Sequence, residues 1–127
     1  MNSEIRHTGF TLIELLVVMV IIATLLTLAV PRYFHSVEKS REAVLRGNLV
    51  LVREALDKFY SDNGRYPDNL NDLVTRKYLR RLPQDPVTDS DVTWIIVPPP
   101  DLAKGGVYDI HSGAPGTGLG GTPYSEW

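Results

Sequence analysis

The chain has 127 residues and no cysteine, which excludes disulfides, thiolate catalysis and zinc-thiolate sites. Thirteen Lys and Arg against 15 Asp and Glu leave a formal net charge of −2, too near neutral for a strong electrostatic grip on nucleic acid. Beside one long apolar run near the start, this length allows one small domain.

Residues 1–9 carry Glu4, Arg6 and His7 and have neither an apolar core nor a small-residue cleavage site. An ordinary secretory signal places its apolar region before the cut and discards it. Here the apolar region follows Gly9 and is kept. Gly9 itself, lacking a side chain, leaves an exposed backbone that is readily held extended. From Phe10 to Val30 there are 21 residues, of which only Thr11, Glu14, Thr24 and Thr27 are not apolar. At about 1.5 Å per residue, a helix over this run crosses a hydrocarbon core roughly 30 Å thick. Glu14 is its anomaly, because a carboxyl group near the start of a membrane helix persists only with a partner, in neutral form, or among headgroups. Charge alone does not orient the span: Arg6 is outnumbered by Arg32, Lys39, Arg41 and Arg46 on the other flank.

Gly9-Phe10-Thr11-Leu12-Ile13-Glu14, set against that apolar run and behind a short polar leader, resembles the class III signal of type IV pilins and of type II secretion pseudopilins. The resemblance implies that a cytoplasmic-side prepilin peptidase cuts between Gly9 and Phe10 and methylates the new amino group of Phe10. It implies a leader over 1–9, a transmembrane and filament-core helix over 10–30, and a periplasmic domain over 31–127. Glu14 is then an assembly residue. Many pilins close a loop near their C-terminus with a disulfide, so the missing cysteines lean towards a pseudopilin.

Pro31 lacks a backbone donor and crowds the preceding turn, so a helix passing through it is expected to kink or loosen there. Beyond it the pattern stays helical. Leu45, Leu49, Val52, Leu56 and Phe59 recur at steps of four and three, flanked by Val37, Val44, Ala55 and Tyr60. Lys39, Arg41, Arg46, Asp57 and Lys58 form the solvated face. A helix continuous from Phe10 to Tyr60 would be about 75 Å long. Asp62-Asn63-Gly64 then stops it, and Pro67 prevents a restart. Asp68 or Asn69 caps a short helix carrying Leu70, Leu73, Val74 and Tyr78. The segments Tyr60 to Pro67 and Tyr78 to Pro86 resemble their counterparts in the major, G-type pseudopilin.

Val92 to Val97 and Val107 to His111 read as antiparallel strands, connected through Pro98-Pro99-Pro100 and Gly105-Gly106. The expected fold class is α+β: a long N-terminal helix packed on a small antiparallel sheet. The tail, 112–127, is rich in Gly, Pro, Ser and Thr, but Tyr124 and Trp127 offer apolar surface to pin it. By resemblance this region forms a calcium loop with several aspartates. Here Glu126 is its only acid and Asp109 precedes it, a poor anion set for an ion that takes six to eight oxygens. No metal or other cofactor is expected.

Nothing in the sequence assembles a catalytic constellation. His7, His35 and His111 lie in leader, membrane flank and strand. Asp85, Asp89, Asp91 and Asp101 fall at turn-rich positions that favour capping, and Gly118 to Gly121 has no lysine nearby for a phosphate loop. The function implied is that of a structural subunit polymerising with itself into a periplasmic fibre. Implied partners are minor pseudopilins, the prepilin peptidase, an inner-membrane assembly platform and, indirectly, a cytoplasmic ATPase. A minor pilin of a type IV pilus or DNA-uptake filament, and a membrane-tethered binding domain that never polymerises, are the alternatives. The dense basic group Arg76, Lys77, Arg80 and Arg81 reads as a solvated face rather than a nucleic-acid site.

Overall fold

The computed structural model describes residues 9–127; of the expected leader, only Gly9 lies among them, and His7 falls outside. The elements are α1 (Leu12–Asn63), α2 (Asn71–Thr75), β1 (Ile95–Val97) and β2 (Asp109–His111), with single 3₁₀ turns at Leu102–Lys104 and Tyr124–Glu126. This is the α+β arrangement of a long helix with a small antiparallel sheet. The chain divides into two units, Met1–Val37 and Glu38–Trp127, and α1 contributes to both.

In the first unit the helix begins where Thr11 caps it: Glu14 N–H donates to Thr11 Oγ1 at 3.2 Å. From Leu12 to Phe34 its apolar side chains are all exposed, and its apolar window has a mean hydropathy of 2.8 with none of it buried. A helix apolar on every side needs an apolar surrounding. By length and composition it is able to cross a membrane. Thr24 and Thr27 turn their hydroxyls onto the carbonyls of Val20 (2.8 Å) and Ala23 (2.7 Å), so their polarity is spent inside the helix. Pro31 lies within α1 and does not end it.

In the second unit the apolar stripe of α1 does what its spacing predicts. Leu45, Leu49, Val52, Leu56 and Phe59 are buried against Leu70, Leu73, Leu79, Trp94, Val107 and Ile110. Full burial of such side chains contributes roughly 1.5–3 kcal/mol each. Val44, expected at the flank of the stripe, is half exposed instead. The helix stops at Asn63, with Gly64 at φ 70° and its N–H on the Tyr60 carbonyl at 2.8 Å.

The short helix α2 is capped by Asn69, whose Oδ1 accepts from Asp72 N–H at 3.0 Å, while Asp72 Oδ2 accepts from Asp68 N–H at 3.2 Å. It ends at Thr75 rather than running to Tyr78. Lys77 takes a left-handed φ of 65°, and Tyr78 N–H and Lys77 N–H fold back to the carbonyls of Leu73 (2.8 Å) and Val74 (3.1 Å). That hydrogen-bond pair is a Schellman stop, with lysine where glycine is usual.

The two strands pair antiparallel in the register Ile95 to His111, Ile96 to Ile110 and Val97 to Asp109. Both are shorter than the sequence suggests, for a visible reason. The Trp94 indole N–H donates to the Pro83 carbonyl at 2.9 Å, and the hydroxyls of Thr88 and Thr93 lie 2.7 Å apart, so the start of the expected first strand belongs to the 83–88 segment. Gly106 N–H and Val107 N–H both donate to the Pro67 carbonyl at 3.0 Å, which takes the start of the second.

Candidate functional site

Two places carry the chemistry singled out by the sequence: the start of α1, and the tail folded against its second half. At the start, Phe10 is 87 % exposed. A methyl group placed on Gly9 would meet nothing within 4 Å, so packing does not require glycine there. Glu14 is the third residue of α1, at the positive end of the helix dipole. It is exposed, and among the described residues its carboxylate enters no ion pair or hydrogen bond. Thr11 holds the Glu14 backbone N–H rather than its carboxylate.

The tail is ordered, and Tyr124 and Trp127 do pin it. Their rings meet at 5.2 Å, and the Arg46 guanidinium stacks over Trp127 at 4.7 Å. The polar holds come from two residues that the sequence reading passed over. Glu42, 5 % exposed, accepts from Leu119 N–H at 2.6 Å and from Tyr124 O–H at 3.1 Å. Arg53 reaches Asp109 and the backbone oxygens of Ile110 and Trp127. Glu42 had a legible signal: it lies three residues before Leu45, so it extends the buried stripe. A charge on an apolar stripe asks for a partner.

Three phenols are pushed above the ordinary value of 10.0. Burial raises Tyr124, helped by its hydrogen bond to Glu42. Burial also raises Tyr66, whose ring meets Tyr60 at 4.6 Å and Tyr108 edge-on at 5.3 Å, whereas Tyr78 is raised first by its hydrogen bond to Asp62. The folded chain therefore holds these protons more tightly than the unfolded one. Their contribution to stability is complete below pH 10.0 and is lost as pH rises through the shifted values. Tyr124→Phe, which cannot ionise, is expected to soften this alkaline loss in melting curves recorded across that range.

Asp85 and Asp101 do structural work. Asp85 is fully buried, accepting from Val87 N–H at 2.9 Å and from the Ser112 hydroxyl. Asp101 caps the turn at Leu102–Lys104. His111 Nδ1 lies 2.6 Å from the Trp127 oxygen and is occupied there. Among the described residues no three His, Asp or Glu side chains gather as a metal site.

Residues 6–30 match the prokaryotic N-terminal methylation motif. Type II secretion system core protein G of Pectobacterium carotovorum is 38% identical over 101 residues, covering 67% of this chain and 65% of that protein. The Klebsiella pneumoniae protein of the same name is 38% identical, with 64% and 69% covered. The Escherichia coli K12 protein is 31% identical over 136 residues, with 94% and 90% covered. With the first two of these relatives the alignment spans about two thirds of their length. No solved structure matches the chain. The motif, the long exposed helix start and these identities together establish that the chain belongs to the type II secretion system core protein G family.

Proposed function

We propose that this protein is a structural subunit that is cut between Gly9 and Phe10, methylated at the new Phe10 amino group, and polymerised into a helical fibre of the type II secretion machinery. Before assembly it is held in the inner membrane by α1, with residues 31–127 in the periplasm. The prepilin peptidase, minor pseudopilins, the assembly platform and its ATPase are the partners that this role requires. It is not an enzyme; processing is done to it.

The observation that carries the reading is the start of α1, whose apolar surface is bare on all sides and holds Glu14 as its single acid. Packing such helices side by side removes that surface from water or lipid. It also buries the cationic amine of Phe10, which a neighbour's Glu14 carboxylate offsets. A desolvated pair of this kind fixes register, because leaving either member alone costs several kcal/mol. Head-to-tail contacts that do not close on themselves generate an open helix. The freedom for a side chain at Gly9 supports the same reading: the fold does not need glycine there, but a peptidase gripping extended backbone does.

Glu14→Ala is expected to leave leader cleavage and membrane insertion intact while abolishing incorporation into sheared fibres. Fibres of normal yield from that variant would overturn the role and return the chain to a tethered binding domain. Mass analysis of the membrane-extracted protein checks the earlier step independently, since the processed chain begins at methylated Phe10.

A further inference from the structure

Arg53 stands at the meeting point of β2 and the tail. Its Nε donates to Asp109 Oδ1 at 2.8 Å, and its Nη2 donates to the Ile110 oxygen at 3.0 Å and the Trp127 oxygen at 2.8 Å. His111 Nδ1 approaches the same Trp127 oxygen at 2.6 Å. One carboxylate and two backbone oxygens are the donor types that a hard cation takes, but here they converge on a guanidinium.

Asp109 supplies the side-chain charge opposite Arg53, at 2.8 Å. Calcium needs about six to eight oxygens at roughly 2.3–2.6 Å, and three do not close its shell. Arg53 itself would repel a second cation brought against Asp109. The other hold on the tail is Glu42, whose Oε1 accepts from Leu119 N–H and Tyr124 O–H.

We propose that Arg53 is a built-in cation that closes the 112–127 tail onto α1 in the place that the family resemblance gives to calcium, so that folding of the tail is independent of calcium. The comparison with calcium rests on the family reading; the clasp rests on the geometry alone.

The test uses the full chain purified in detergent, followed by melting and by amide hydrogen exchange across 112–127, in excess chelator and in calcium chloride. The two conditions are expected to give the same melting point and the same tail protection. Arg53→Gln is expected to speed tail exchange by about tenfold or more, with no rescue by added calcium. Arg53→Lys should fall between, because a point ammonium cannot span the three acceptors of a planar fork. Faster tail exchange in chelator, a melting point raised by calcium, or an unchanged tail in Arg53→Gln would each overturn the proposal. The wild-type arm needs no variant to fold. It also separates this inference from the polymer reading, which stands or falls on Phe10 processing and fibres.

Discussion

Gly105→Ala is expected to destabilise the domain by about 3 kcal/mol or more, among the largest effects of any single methyl group in the chain. Gly105 has φ 118°, a conformation that side chains rarely adopt, and an added Cβ would lie 2.2 Å from the Tyr66 carbonyl oxygen and 2.7 Å from its carbon. Those atoms are backbone, and they are held: Tyr66 N–H donates to the Lys104 carbonyl at 2.7 Å, and the Pro67 carbonyl accepts from both Gly106 and Val107. The seam joins the exit of α1 to the entry of β2, so it cannot open without loosening both. Gly64→Ala is the control, since Gly64 has φ 70° but open space around its missing Cβ. It should lose only the conformational part, roughly 1 kcal/mol. Comparing the two by chemical denaturation separates the clash from the backbone preference; equal losses would show that the seam yields.

The second large effect is expected from Leu73→Ala, at about 3 kcal/mol. Leu73 is fully buried and is the only buried residue of α2. A helix of five residues has no stability of its own, because its nucleation cost is not recovered over so short a length. Its place is held by Leu73, with Leu70 before it and Leu79 after it in the same core. The Leu73 carbonyl also receives Tyr78 N–H, one bond of the Schellman stop, and Leu79 N–H. Shortening the side chain should therefore lower global stability and, beyond that, release Tyr78 from Asp62, where its hydroxyl now sits at 2.8 Å. Faster amide exchange at Tyr78 and Leu79 than at Leu49 would register the local part.

Much of this architecture can be read from periodicity. The steps of four and three from Leu45 to Phe59 specify one face, and the core is built on that face. The Asn63-Gly64 stop and the Asn69 cap act locally, so their chemistry is visible in a few residues. The first strand is shorter than propensity suggests because Thr93 and Trp94 leave the ladder and bond to Thr88 and Pro83, a tertiary choice that propensity does not encode. The end of α2 was missed because lysine, not glycine, occupies the left-handed position at 77. At the start of α1, the run from Gly9 to Glu14 against an apolar stretch is itself the signal that marks the family. The tail's anchors were half legible. Aromatic residues announce that something is pinned, but Glu42 and Arg53 look like ordinary helix charges until the residues near 110 and 119–127 are laid against them.

Those tail contacts also set an order of events for the folding chain. Glu42 is separated from Tyr124 by 82 positions and from Leu119 by 77, and Arg53 from Trp127 by 74, the longest hydrogen-bonded separations among the described residues. The capped turns close over a handful of residues, so they form early, whereas contacts across such distances wait until loop-closure entropy has been met by the rest of the core. Until then the face of α1 that bears Glu42, Arg46 and Arg53 is bare. Tail docking is thus a late step, and a subunit that has folded everything else still differs from a finished one by which side of its helix is open to a neighbour.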